Sequence, residues 1–331
     1  MRSRILSGVL AGLALVGAAC GDDDDAASSE TTVAPAEPTD SSAPPATTAA
    51  TPATSGQTAP ATSVAGGDDV PSRIISLSPS ATEMLFAIGA GDQVLAVDDF
   101  SNYPDEAAAK MQGINAFEPN VEAIAGLEPD LVVTDGTNAD LLAQFDTLDI
   151  AHWEGMAPTT FEDVYAQIEQ LGAVTGHIAE ATELVMQMQT DLAAVVDGLP
   201  ALAEPMTYYH ELDPNGYWSV TSDSFIGLVY STAGLVNIAD AVGDGNPYPQ
   251  LSAEFIVDAD PDLIFLACAK YCGVTPESVA ARPGWGEMSA VKNGNVIAMD
   301  DDIASRWGPR LVTYVEQVGQ AIAGAAQVPA G

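Results

Sequence analysis

A stretch of fourteen residues, Asn120-Val121-Glu122-Ala123-Ile124-Ala125-Gly126-Leu127-Glu128-Pro129-Asp130-Leu131-Val132-Val133, comes back in outline as Ala253-Glu254-Phe255-Ile256-Val257-Asp258-Ala259-Asp260-Pro261-Asp262-Leu263-Ile264-Phe265. Glu, Ile, an acidic residue, Pro, Asp and Leu recur at one offset of 132 positions. Each copy reads as a short helix that opens near the Glu, stops before a Pro whose ring disfavours αR at the residue ahead of it, and runs into a buried apolar strand. A helix followed by a buried strand is half of a βαβ unit. Two copies in one chain predict two α/β lobes with parallel sheets, facing each other with a ligand held between them.

The first residues address the compartment. Met1-Arg2-Ser3-Arg4 is a basic start, and Ile5 to Val16 is an apolar run broken by Gly8 and Gly12. That run is shorter than the roughly 20 residues needed to cross a bilayer, so residues 1–20 read as a signal peptide. Gly17-Ala18-Ala19-Cys20 resembles a bacterial lipobox, in which Cys20 is lipidated and becomes the mature N-terminus. Residues 21–70 are acidic and then rich in Ala, Thr, Pro and Ser without apolar period, which predicts a disordered tether. A lipid at Cys20 with this arm would hold the body at the outer face of the cytoplasmic membrane. The 331-residue chain carries a formal net charge of −38, and 38 acidic residues against 7 basic ones lie in 71–331. A body that acidic repels phosphate backbones, which excludes nucleic acid as a partner and favours a soluble monomer.

Within the body, Arg73 to Leu77 reads as a strand, and Ser80 with Glu83 has capping-box spacing for the helix that follows. Thr160 opens a helical region at 161–200, although Asp163 stands where a capping box takes Glu or Gln. Ile178 to Val196 has continuous three- and four-residue apolar spacing and predicts a helix of about 28 Å, long enough to link two lobes. Residues 71–160 then form the first lobe and 201–331 the second, with Met206 to His210 as its first strand and Thr221 to Ser224 capping a helix.

Arg73-Ile74-Ile75-Ser76-Leu77-Ser78-Pro79-Ser80-Ala81-Thr82-Glu83, the two Glu-Pro-Asp-Leu-like copies, and Ser305-Arg306-Trp307-Gly308-Pro309-Arg310, in that order, resemble the substrate-binding lipoproteins of ABC importers for cobalamin, ferric siderophores or haem. The resemblance covers nearly all of 71–325. It implies two Rossmann-like lobes joined by a single long interlobe helix, a transported ligand (cobalamin or a ferric chelate) rather than a cofactor, and an ABC permease as partner. It also implies that Glu122 and Glu254, one per lobe, dock against permease arginines. Read without the resemblance, each Glu sits in a first helical turn, where the helix dipole alone favours a carboxylate by about 0.3–1 kcal/mol.

The ligand belongs where the carboxyl ends of parallel strands meet. That points to Ser80, Phe100, Tyr103, Phe117, Asp135, Tyr209, His210, Trp218, Ser222, Tyr248, Arg306 and Trp307. In the cobalamin binders an aromatic stands six residues before each docking Glu. Tyr248 fills that position in the second lobe, whereas Ala116, beside Phe117, fills it in the first, and Asp135 stands where the family has a tryptophan. His210 is also a candidate haem or iron ligand. Its two companions, His152 and His177, are too scattered to build a metal cluster. Cys268 and Cys272 form a close pair that an oxidising exterior would bridge, pinning a cleft loop, with reactive or metal-binding thiols as the alternative. The rival class is an enzyme on the same architecture, a chelatase or a hydrolase using Ser222, Asp223 and His210. No Gly-x-Ser-x-Gly elbow, Walker loop or dinucleotide fingerprint accompanies those residues.

Overall fold

The computed structural model describes residues 70–326, so the leader, Cys20 and most of the tether fall outside the described residues. The first lobe runs β1 (Ile74–Ser76), α1 (Pro79–Ala87), β2 (Val94–Asp98), α2 (Asp105–Ala108), β3 (Met111–Ile114), α3 (Val121–Gly126), β4 (Leu131–Thr134), α4 (Ala139–Thr147) and β5 (His152–Glu154). Its five strands are parallel in the order β3-β2-β1-β4-β5. Two helices follow, α5 (Phe161–Thr175) and α6 (Ile178–Asp197). The second lobe runs β6 (Thr207–Glu211), α7 (Phe225–Thr232), β7 (Val236–Asn237), α8 (Ala253–Ala259), β8 (Leu263–Leu266), α9 (Ala269–Cys272), α10 (Pro276–Ala280), α11 (Ser289–Lys292), β9 (Val296–Ala298), α12 (Asp301–Ala304) and α13 (Leu311–Ala325). Its four strands are also parallel, in the order β7-β6-β8-β9.

The repeated stretch accounts for one βα half of each lobe. Asn120 and Ser252 cap α3 and α8 by accepting the backbone N–H three residues on. The residue before each Pro, Glu128 or Asp260, adopts a left-handed conformation with φ of 49° and 43°, which ends the helix and turns the chain into the strand. The Asp after each Pro ties that strand to the first strand of its lobe. Asp130 accepts from the N–H and hydroxyl of Ser72, and Asp262 does the same for Thr207.

Two caps differ from the sequence reading. Ser78, not Ser80, caps α1, because Pro79 takes the first helical position and the cap must precede it. Glu83 is thereby free of capping duty and pairs with two arginines instead. Thr160 and Asp163 do form a reciprocal capping box, the shorter carboxylate reaching the Thr160 N–H at 2.8 Å. Although burial works against it, the carboxyl of Asp163 is held below the ordinary range by the N–H and hydroxyl donors of Thr159 and Thr160.

The link between the lobes also differs in detail. The 20-residue α6, about 30 Å long, is preceded by α5, which ends at the left-handed Gly176 and packs back against it. Gly172 makes that approach possible, since a Cβ there would fall 2.4 Å from Ala181 Cβ.

Alternate residues of each strand enter different cores, as expected for sheets covered on both faces. Ile75 and Val132 pack with Val121, Ile124 and Phe145 beneath α3 and α4. Tyr209, Ile264 and Leu266 pack with Ile256, Val279 and Trp285 beneath α8 and α10. The other faces meet in a single cluster. Ile74, Val133 and Trp153 of the first sheet and Tyr208, Leu263 and Phe265 of the second join it, together with α1, α5, α6, α7 and α13. The C-terminal segment also packs on the first lobe, Trp307 and Arg310 bonding to Ser80 and Glu83 of α1.

Candidate functional site

In a sheet ordered 3-2-1-4-5 the chain reverses direction of winding between β1 and β4, and loops leaving those two strands part to open a crevice. A cavity of about 490 Å³ lies there. Leu77 to Ser80 after β1, Phe100 after β2, Ala116 and Phe117 after β3, and Thr134 to Leu142 after β4 supply the first wall. Tyr271 of α9, Asp302 of α12, and Ser305 to Trp307 supply the second. The aromatic side chains set its character: Phe100 and Phe117 meet edge to face at 5.1 Å, and Phe117 is 75% exposed. Trp307 is fixed by its indole N–H, which donates to Gln167 Oε1 at 3.0 Å, and by its backbone N–H, which donates to Ser80 Oγ.

A polar network crosses the floor from one wall to the other. Arg306 donates through Nη1 to Glu83 at 3.0 Å and Asn102 at 2.9 Å, and through Nη2 to the Phe100 carbonyl at 2.8 Å and Asp302 at 2.7 Å. Arg310 donates to both carboxylate oxygens of Glu83 and lies 4.3 Å from the ring centroid of Tyr103. Asp302 is saturated: Tyr271 and Arg306 reach Oδ1, while Asn102 and Lys270 reach Oδ2. Burial alone would raise the Asp302 carboxyl, but these donors hold it below the ordinary range. Asp98, behind the network, goes the other way, burial outweighing its bonds from Ser101 and the Phe100 N–H and the nearby charge of Arg306.

Cys268 and Cys272 are bonded to each other across α9, with Cα atoms 5.1 Å apart. The carboxylate of Asp301 accepts the backbone N–H groups of Lys270 and Tyr271 at 3.0 and 2.9 Å, which seats this single turn against α12.

Six of the twelve cleft residues expected from sequence, Ser80, Phe100, Phe117, Asp135, Arg306 and Trp307, line this cavity together. Six do not. Tyr209 and His210 are wholly enclosed at 0% exposure, because both faces of β6 are covered. Tyr209 lies edge-on to Trp285, and its hydroxyl donates to Glu211, itself paired with Arg282. His210 Nδ1 meets the hydroxyl of Tyr230 at 2.9 Å within the shared core, and burial alone depresses its imidazole to about 3. A neutral imidazole closed off from the cleft cannot reach a ligand there. Ser222 is engaged with Asp240, its hydroxyl 2.7 Å from Oδ2, so the Ser222, Asp223 and His210 set is not assembled as a triad. Trp218 and Tyr248, on the second lobe, are exposed at 39% and 40% and do not line this cavity. Tyr103 lies in a separate open depression of about 860 Å³ with Phe86, Lys110 and Arg310.

Tyr271 and Asp302 were missed as individuals. For Tyr271 the signal was present, since it lies between the paired cysteines of a loop expected at the cleft. Asp302 carries none, being one acid of a run from Asp300 to Asp302. Glu122 and Glu254 occupy the same second helical position on α3 and α8, and both are exposed. Among the described residues no group of three or more His, Cys, Asp or Glu side chains is arranged to hold a metal ion, and no helix is long and apolar enough to cross a membrane.

Comparison with known proteins places this geometry in context. The profile of the family described as periplasmic binding protein matches residues 74–303. An ABC transporter substrate-binding lipoprotein of Bacillus subtilis, YvrC, is 30% identical over 76% of this chain and 80% of its own. A cobalamin-binding protein of Halobacterium salinarum is 31% identical over 77% of this chain and 70% of its own. The crystal structure of the periplasmic vitamin B12 binding protein BtuF of Vibrio cholerae superposes with a TM-score of 0.67 at 28% identity, over 78% of this chain and 99% of that one.

Proposed function

The chain belongs to the periplasmic binding protein family, and on that footing we propose that it is the solute-binding component of an ABC importer, capturing a corrinoid of the cobalamin type between its lobes and delivering it to the permease. The observation that carries this reading is the cavity at the chain-reversal point, walled by both lobes and lined by Phe100, Phe117, Tyr271 and Trp307. Such a wall suits the broad apolar faces of a macrocycle. A corrinoid fits better than haem, because haem iron takes an axial ligand from its protein. His210 and His152 are enclosed, and the Tyr271 hydroxyl is committed to Asp302.

Delivery is the second half of the proposal. Glu122 and Glu254, presented at equivalent places by the two copies of the repeat, are the permease-docking carboxylates, and a slight closure of the lobes on the ligand marks the form that docks. Residues 1–20 are the lipoprotein signal, Cys20 carries the lipid, residues 21–70 are the tether, and the body works as a monomer at the outer face of the cytoplasmic membrane. The lipoprotein relative in Bacillus subtilis supports the anchor, and the oxidising exterior suits the bond between Cys268 and Cys272.

The test is calorimetric titration of the purified protein with cyanocobalamin, haem and a panel of ferric siderophores. Sub-micromolar binding of cyanocobalamin, weakened at least tenfold in Phe117→Ala and Trp307→Ala, is the expected result. Binding of haem or a siderophore without cyanocobalamin would overturn the corrinoid assignment and leave the importer role standing.

A further inference from the structure

The ionic groups lining the cleft are almost all answered within the protein. Both terminal nitrogens of Arg306 are engaged by four acceptors, and both oxygens of Asp302 by four donors. Lys270, at the rim, is held by Asp302 at 2.9 Å. That leaves Asp135. Its Oδ1 accepts from the N–H and hydroxyl of Thr137 at 3.0 and 2.8 Å, and among the described residues no cation lies within ion-pair distance and no donor reaches its other oxygen.

The position of this carboxylate is set by its surroundings. Thr134 Oγ1 accepts the Gly136 N–H at 3.1 Å, and Asn138 caps α4 through the Leu141 N–H, so the loop is held on either side of Asp135. Gly136 has φ of +71°, and a Cβ there would lie 2.6 Å from Met156 Sδ. A side chain there would be strained by the left-handed backbone and would displace Met156.

We propose that Asp135 is the residue that sets charge specificity in the cleft, favouring ligands that bring a positive charge to the end of β4 over neutral ones and rejecting those that bring a carboxylate. A ligand seated against the aromatic wall covers Asp135, which is half-buried already. An anionic ligand would force two negative groups together out of water with no free cation to answer them. A neutral ligand without a donor would leave the carboxylate desolvated and unpaired. A ligand edged with amides answers it in part, and a cationic ligand answers it fully, through a charge-assisted hydrogen bond. The inference rests on the cleft being the ligand site, and it adds the charge class that the aromatic wall cannot decide.

Two probe pairs of matched shape test it. Aquacyanocobinamide carries one positive charge and dicyanocobinamide none. A ferric hydroxamate chelate with a free ammonium and its N-acetylated, neutral counterpart form the second pair. Kd is measured for all four with the wild-type protein and with Asp135→Asn, which keeps the shape and the bond to Thr137. In at least one pair the wild type should prefer the cation, the preference weakening with added salt, and D135N should lower the cation-to-neutral ratio about tenfold, the scale of one charge-assisted hydrogen bond. An unchanged ratio in D135N overturns the inference, as does a wild type that binds neither cation. If only the hydroxamate pair binds, the corrinoid assignment fails and the charge selection is still decided. Unaltered affinities in Trp307→Ala across both pairs would instead remove the cleft as the site.

Discussion

Replacing Glu83 with alanine should be the most damaging single change in the floor of the cleft. Glu83 is 3% exposed and, among the described residues, is the only carboxylate paired with both Arg306 and Arg310, whose side chains are 8% and 18% exposed. Its removal deletes three charge-assisted hydrogen bonds and leaves two guanidiniums facing each other. Breaking a buried pair by removing one partner costs about 3–5 kcal/mol. Arg306 keeps Asp302, Asn102 and the Phe100 carbonyl, and Arg310 keeps the face of Tyr103, so about 2–4 kcal/mol is the expected loss. At roughly 2–4 °C per kcal/mol for a domain of this size, Tm should fall by about 4–16 °C. Differential scanning calorimetry reads this directly, with Glu83→Gln expected to fall between variant and wild type. Because the pair is buried, the difference should persist in molar salt. A drop under about 2 °C, or one that vanishes as salt is raised, would refute the reading of this network as a buried, stabilising one.

Other expectations follow from single groups. His210 has a folded pKa of about 3 against 6.5 for a free imidazole, so between those values only the unfolded chain holds the proton, and stability falls as pH is lowered through the window. Urea unfolding of wild type and His210→Gln between pH 7 and 3.5 should show an extra loss in the wild type approaching about 1.4 kcal/mol per pH unit, and parallel curves would contradict the enclosed imidazole. Glu122→Arg with Glu254→Arg should abolish uptake in cells while Kd stays within twofold; a loss of ligand affinity would disqualify them as docking residues. Gly136→Ala should cost about 1–2 kcal/mol, since alanine is strained at φ +71° and meets Met156, and an unchanged unfolding midpoint would show that the loop relaxes freely.

The parts of the fold that were legible in the sequence depend on local physics. The Glu-Pro-Asp repeat announces α3-β4 and α8-β8 because helix stop, Pro and apolar strand lie within a few residues of one another. The cap at Ser224 was readable for the same reason. Strands β3 and β7 were not anticipated: Met111-Gln112-Gly113-Ile114 has little apolar signal, and Val236–Asn237 has only two residues. In the site, Phe117 and Asp135, carried by loops after strand ends, and Trp307, in the loop after α12, line one cavity as the sequence leads one to expect of cleft residues. The side chains of β6 do not reach it; a strand covered on both faces gives no alternation to say which side chain is reachable. The role of Glu83 was hidden by distance, its partners lying 223 and 227 positions along the chain.

The apolar cluster that both sheets share has a kinetic meaning. Met84 and Trp153 on one side and Tyr208, Tyr230 and Tyr314 on the other are buried in one continuous core with α6 and α13. Swinging the lobes wide apart would expose that core at about 25 cal/mol per Å² of apolar surface, so the gape of the cleft is nearly constant. A solute held in that cavity would have to leave past the exposed rings of Phe117 and Tyr271 rather than through a wide parting of the lobes, and its residence time would follow that passage.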